Sequence, residues 1–194
     1  MARSQEFDHL TVLNEALQVF WTNGFETTSV PTLEQATGLA RSSIYNSFGS
    51  KKKLFDAVVN HYLATIIRPR LKPLTEPDVA PDALMDYLDG LRAVFADATS
   101  FAAVNGCLLL NSAGAPIGHD AAISAILVGY RKELRTAIHA GTVAAGSRDP
   151  DLTADTISGL VIASFTLARM SSAEAAAAIS TAQELLRRTI PETP

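Results

Sequence analysis

Cysteine is almost missing from this chain. Its 194 residues contain one, Cys107. That excludes an intrachain disulfide and suits a reducing cytoplasm. Long apolar runs are missing as well. No uninterrupted one reaches the ~18 residues that span a bilayer, so no membrane crossing is expected. The first residues, Met-Ala-Arg-Ser-Gln-Glu, hold no apolar signal core. His61, His119 and His139 are not spaced as metal ligands. Paired catalytic carboxylates, a phosphate loop and a Ser-His-Asp signature are also lacking, which counts against an enzyme. No cofactor or metal is expected.

Positive charge is scarce overall, since the formal net charge is -4. Its distribution is uneven. Residues 1–72 carry a small positive excess, held by Arg3, Arg41, Lys51, Lys52, Lys53, Arg68, Arg70 and Lys72, while the remainder is clearly acidic. A few phosphate contacts per subunit, with marked salt dependence, are therefore expected of the N-terminal part. Residues of the AVILMFWYC set make up 47% of the chain, with only 11 glycines and 9 prolines. This composition fits a helical globular protein large enough to bury a core.

The stretch Thr37-Gly-Leu-Ala-Arg-Ser-Ser-Ile-Tyr-Asn-Ser-Phe48 organises the rest. Leu39, Ile44 and Phe48 fall near helical spacing on one side. Arg41, Ser42, Ser43, Tyr45 and Asn46 crowd the other. Arginine forks onto guanine, asparagine onto adenine, and hydroxyls reach phosphates. Just upstream, Val30 to Thr37 reads as a short helix capped by Thr28 or Ser29, with Pro31 in its first turn. Gly38 ends it with the left-handed C-cap that glycine tolerates. Two helices about a glycine turn make a helix-turn-helix, whose second helix enters the major groove.

Phe20 to Val30, Ala36-Thr-Gly-Leu39, Ile44-Tyr-Asn-Ser-Phe48 and Ser50-Lys-Lys-Lys-Leu-Phe55 occur in order. Over residues 5–60 this set resembles the TetR family of bacterial transcriptional regulators. The resemblance implies an all-α homodimer that binds a palindromic double-stranded operator, usually as a repressor released by a small ligand. It also implies backbone contacts near Thr28 or Ser29, and a phosphate contact at Lys51. Capping is an equal reading for the hydroxyls, and a solvated charge run is the plainer one for the lysines. Two positions depart from the family pattern. Ala40 stands where a capping serine is typical, and Pro31-Thr32 where charged residues are common. The DNA-contacting set expected is Thr28, Ser29, Thr32, Arg41, Ser42, Ser43, Tyr45, Asn46 and Lys51.

The expected architecture is an N-terminal three-helix DNA-binding domain and a larger helical regulatory and dimerisation domain, about nine helices in all. Helix one runs from Glu6 to Asn23. Residues 1–50 form the head and 51–68 a linking helix that stops near Arg68-Pro-Arg-Leu-Lys-Pro73. Residues 69–194 form the regulatory part, with a Pro-rich boundary reaching Pro81. Helices are expected over Pro81–Ala98, Phe101–Ala113, Asp120–Ala144, Pro150–Met170 and from the capping box Ser171-Ser-Ala-Glu174 to Ile190. The last two are apolar nearly all round, so they are expected to pair with their twins in a dimer; burial within one subunit is the alternative.

Tyr62, Phe95, Phe101, Cys107, Asn111, Tyr130 and Phe165 are expected to line an apolar chamber for an aromatic or lipid-like effector, though each can also be plain core. Cys107 follows a glycine, as in a branch of TetR-like proteins that sense electrophiles or oxidants. A reactive thiol at a helix N-terminus is thus a second reading, against a buried core cysteine. A small helical enzyme or ligand carrier is a third.

Overall fold

The computed structural model describes residues 9–191, and among them every regular element is helical. The expected start of helix one at Glu6, and the charges of Arg3, Glu6 and Asp8, lie outside the described residues.

Helix α1 (His9–Asn23) buries Val12, Ala16, Leu17, Phe20 and Trp21, which recur at helical spacing. α2 (Val30–Thr37) starts where the Ser29 hydroxyl accepts from the Thr32 N–H, and Pro31 occupies its first turn. Gly38 closes it at φ 68°, ψ 6°. α3 (Arg41–Phe48) buries Ile44. α4 (Lys51–Tyr62) is capped by Ser50. Phe20, Leu33, Ile44, Leu54 and Phe55 are all fully buried and form the core of this head. The Phe20 and Phe55 rings meet edge to face at 5.0 Å.

α4 does not stop near Arg68. A π-helical turn follows (Leu63–Ile67), then α5 (Arg68–Leu71) and a 3-10 turn (Lys72–Leu74). Pro69 explains the irregularity. In a regular α-helix it would lack one N–H and its ring would meet a carbonyl of the preceding turn. The wider turn removes both problems, with the Arg68 N–H reaching Leu63 O. The helical rod thus runs past Pro69 and ends at Leu74, within the proline-rich piece.

α6 (Ala83–Ala96), α7 (Phe101–Asn105), α8 (Leu108–Ala113), a 3-10 turn (Pro116–His119), α9 (Ala121–Ala144), α10 (Pro150–Ala168) and α11 (Ser172–Thr189) complete the chain. Asp120, Asp149 and Ser171 each cap the helix that follows. The expected single helix over Phe101–Ala113 is broken in two at Gly106, which sits at φ 70°, ψ -136°. Only glycine adopts that conformation readily. α10 packs against both α9 and α11, and α11 also covers α6. The stretch 101–119 and α10 have the length and hydropathy of a membrane crossing. The first is not one helix, and both contribute residues to the buried core.

Among the described residues, Trp21 and Glu26 tie the head to the body, and Lys52 ties the start of the rod to it. Trp21 Nε1 donates to Gly106 O at 3.2 Å. Its ring also meets Tyr62 at 4.8 Å and Phe101 at 4.9 Å. Glu26 Oε1 accepts from the Ile117 N–H at 2.7 Å. Lys52 Nζ lies 3.0 Å from Asp120 and 2.7 Å from Asp56.

Candidate nucleic-acid interface

α3 is anchored by Ile44, with Leu39 and Phe48 half-buried on the same side. Arg41, Ser42 and Asn46 are exposed, and Ser43 and Tyr45 are half-buried. The Arg41 guanidinium lies over the Tyr45 ring, 5.3 Å from its centre. An i,i+4 stack of this kind holds the fork in place before DNA arrives.

The α3 N-terminus begins at Ala40, which offers no side-chain cap. Its acceptor comes from another helix. Glu34 Oε1 accepts from the Arg41 N–H at 2.6 Å, while the Thr37 hydroxyl accepts from Leu39 N–H at 3.3 Å. A carboxylate seven residues away on α2 therefore satisfies the first N–H of a helix that lacks a serine cap.

Two expected phosphate contacts are otherwise engaged. Thr28 is 1% exposed, and its hydroxyl donates to Gly24 O at 2.6 Å. It holds the α1–α2 turn and is turned away from solvent. Lys51 Nζ donates to Phe25 O and Thr28 O, both at 2.8 Å, and lies 4.3 Å from the Phe25 ring centre. Two of its three N–H bonds brace that turn. Ser29 and Thr32 stay on the surface side and bond each other through their hydroxyls at 2.8 Å. The three lysines that oppose the α4 dipole thus have separate fates: Lys51 braces the turn, Lys52 joins Asp56 and Asp120, and Lys53 is exposed. Burial works against the Lys52 charge, but the two carboxylates outweigh it and hold its pKa above the ordinary lysine value.

The seven residues expected to share one ligand chamber are not gathered in one. Tyr130 and Phe165 line an inner cavity of only ≈ 10 Å³, and Phe95 packs edge-on against Phe165 at 5.1 Å. Phe101 is spent on Trp21. Asn111 borders a different cavity of ≈ 170 Å³ beneath the α1–α2 turn, and its Nδ2 donates to Asn105 O at 2.7 Å. Tyr62 donates to Cys107 Sγ at 3.4 Å.

Cys107 does sit at the N-cap of α8. Burial nevertheless pushes its thiol up, outweighing the hydrogen bonds from Tyr62 and the Leu109 and Leu110 N–H groups that would lower it. A buried thiol with a raised pKa and no second cysteine in the chain does not favour the thiol-sensing reading. Sequence reasoning missed Glu34 and the braces at Thr28 and Lys51. A carboxylate one turn before the Gly38 break, followed by a helix lacking its own cap, was the available signal for Glu34.

Comparisons with known proteins agree with this geometry. Residues 12–58 match the family model TetR_N, described as bacterial regulatory proteins of the tetR family. The HTH-type transcriptional regulator YezE of Bacillus subtilis (strain 168) is 32% identical over 146 residues, covering 75% of this chain and 73% of that protein. The HTH-type transcriptional repressor ComR of Escherichia coli (strain K12) is 32% identical over 111 residues, 57% of this chain and 51% of that one. Among solved structures, a cysteine mutant of the TetR family regulator CifR, complexed with a 26-base-pair operator, superposes with a TM-score of 0.69. It is 28% identical and covers 94% of this chain and 98% of its own. SCO4454 from Streptomyces coelicolor, at 15% identity and TM-score 0.78 over 94% of this chain and 95% of that one, shares the fold. With a helix-turn-helix whose second helix turns its arginine, serine and asparagine outward, this chain belongs to the TetR family of bacterial transcriptional regulators.

Proposed function

We propose that the chain works as a homodimeric repressor that grips a palindromic operator and releases it when a small effector occupies its helical body. The outward face of α3 carries this reading. Arg41, Ser42, Ser43 and Asn46 read base edges, with the Arg41 fork already stacked on Tyr45. Tyr45, Ser29 and Thr32 hold phosphates. Lys51 adds its one uncommitted N–H while bracing the turn behind them. In this reading residues 1–50 are the DNA head, the rod through Leu74 links it, and the remainder regulates and dimerises.

The dimer surface is the outer side of α10 and α11. Leu152 is 64% exposed on α10, with Gly159 exposed and Leu160 and Ala163 half-buried farther along the same helix. An apolar helix covered on one side only needs a second cover, and small residues let a twin approach closely. A Cβ added at Gly159 meets nothing within 4 Å in the subunit. Gly159→Arg should therefore leave the fold intact and still break the dimer. A two-fold axis here sets two α3 helices on successive turns of DNA, ~34 Å apart.

A gel shift against DNA upstream of its own gene tests the whole reading. Arg41→Ala should cost about 1–3 kcal/mol and relax sequence preference, with wrong bases tolerated better at one position of each half-site. Unchanged affinity and preference would remove Arg41 from base reading. Dimeric sedimentation of Gly159→Arg would remove α10 from the interface.

A further inference from the structure

Between the end of the rod and α6 lies an open groove of ≈ 590 Å³, within the size range of small-molecule sites. None of the seven residues expected to bind an effector borders it. Its walls are apolar, formed by Pro69 and Pro73 of the rod and by Ala83, Leu91 and the Tyr87 ring of α6. Its rim is acidic. Glu76, Asp78, Asp82 and Asp86 border it, against Arg70 as the one cation in the lining. Glu76 has Lys72 at 3.8 Å. Asp78, Asp82 and Asp86 make no ion pair among the described residues. Asp82 and Asp86 suit the N-terminus of α6 in any case. Glu76 and Asp78 precede the helix, and the dipole does not account for them.

We propose that this groove is the effector site, and that its ligand is an organic cation with an apolar body. Surplus carboxylates around apolar walls favour such a molecule and disfavour its anionic counterpart. The Tyr87 face adds an attraction for positive charge. Arg70, Tyr87 and Leu91 border both the groove and the ≈ 10 Å³ inner cavity, so they form the partition between solvent and core. A bulky occupant presses on Pro69 and Pro73, beside the π-helical turn of the rod whose other end leads to α3. This last point rests on the effector-released repressor reading; the binding site does not.

The test is a pair of ions of matched shape and opposite charge, tetraphenylphosphonium and tetraphenylborate, titrated calorimetrically into the full chain. The cation should bind once per chain, at least tenfold more tightly than the anion. Asp78→Asn with Asp86→Asn should weaken the cation about tenfold, with an unchanged thermal melt showing that the fold is intact. Added salt should weaken binding in the parent more than in the double variant. Equal binding of both ions, or an unaffected double variant, overturns the proposal, as does failure of the cation to bind. Cation binding that leaves DNA bound upholds the site and overturns only the effector reading.

Discussion

Removing the Glu34 carboxylate should damage the helix proposed to read the operator without removing any side chain proposed to meet DNA. α3 is only eight residues long, and a helix that short is marginal on its own. Its first N–H is satisfied by Glu34 Oε1 at 2.6 Å, from a half-buried side chain. Losing a side-chain cap costs about 0.5–2 kcal/mol, and a negative charge at a helix N-terminus contributes about 0.3–1 kcal/mol. These overlap, so Glu34→Ala should destabilise by about 1–2 kcal/mol, a fall in Tm of roughly 2–8 °C for a chain of this size. Operator binding then feels two opposed effects. Fraying of α3 lowers the preference for operator over random DNA. Loss of a negative charge near the phosphates raises affinity for every sequence, most at low salt. Fluorescence anisotropy with operator and scrambled duplexes at two salt concentrations separates them, because only fraying changes the ratio. Ala40 already has the extended backbone of a cap, φ -65°, ψ 152°, so adding Ala40→Ser to Glu34→Ala should restore both Tm and the ratio. An unchanged Tm and ratio in Glu34→Ala, or no recovery with the added serine, would refute the cross-helix cap.

Three further outcomes follow from the body. Gly106→Ala places a Cβ 2.7 Å from Phe165 O at a positive φ. It should cost about 2–4 kcal/mol, read as a thermal melt lowered by roughly 4–16 °C; a change below about 1 kcal/mol would show that the break tolerates a side chain. Native Cys107 should react with Ellman's reagent at least about 100-fold more slowly than in the denatured chain, and Cys107→Ser should leave any response of operator binding to diamide unaltered. Asp120 holds its proton less firmly than usual because Lys52 and the Ile123 N–H bond its carboxylate. A lowered folded-state pKa stabilises above the ordinary carboxylate value and is lost as pH falls through the lowered one. Asp120→Asn should therefore flatten the acid limb of a stability–pH curve; an identical limb would mean that Asp120 contributes nothing there.

What was legible in the sequence was local. Ser29, Ser50, Asp149 and Ser171 are caps within three residues of the N–H groups they satisfy, and Gly38 marks its own turn. The outward and inward faces of α3 follow from spacing alone. What was not legible depends on partners far along the chain. Proline 69 reads as a stop because the local rule is steric; the widened turn is held by buried Leu63, Ile67 and Leu71 in the core. Thr28 and Lys51 have side chains suited to phosphate, yet backbone carbonyls of a neighbouring turn claim them first. The aromatic set has the composition of a chamber lining, but its rings pair instead: Tyr62 and Phe101 with Trp21, and Phe95 with Phe165. The groove that stays open is walled by prolines, Ala83, Leu91 and Tyr87 and rimmed by acids, and its single aromatic ring makes no cluster in the sequence.

The way the head is held bears on how release could work. If the rod were the sole link, the head would swing on it with little resistance, and an effector would need to move the whole lever. Instead Trp21 and Glu26 fasten it to residues 106 and 117, and Lys52, at the start of the rod, pairs with Asp120. Hydrogen bonds of the first two kinds contribute about 0.5–1.5 kcal/mol each. That is the scale of an ordinary coupling between two sites, about 1–3 kcal/mol. Under the proposed effector-released mechanism, differential binding of modest size suffices to exchange ties of this strength for another set. Stronger ties would lock the head, and weaker ones would let it drift away from the operator spacing before any effector arrived.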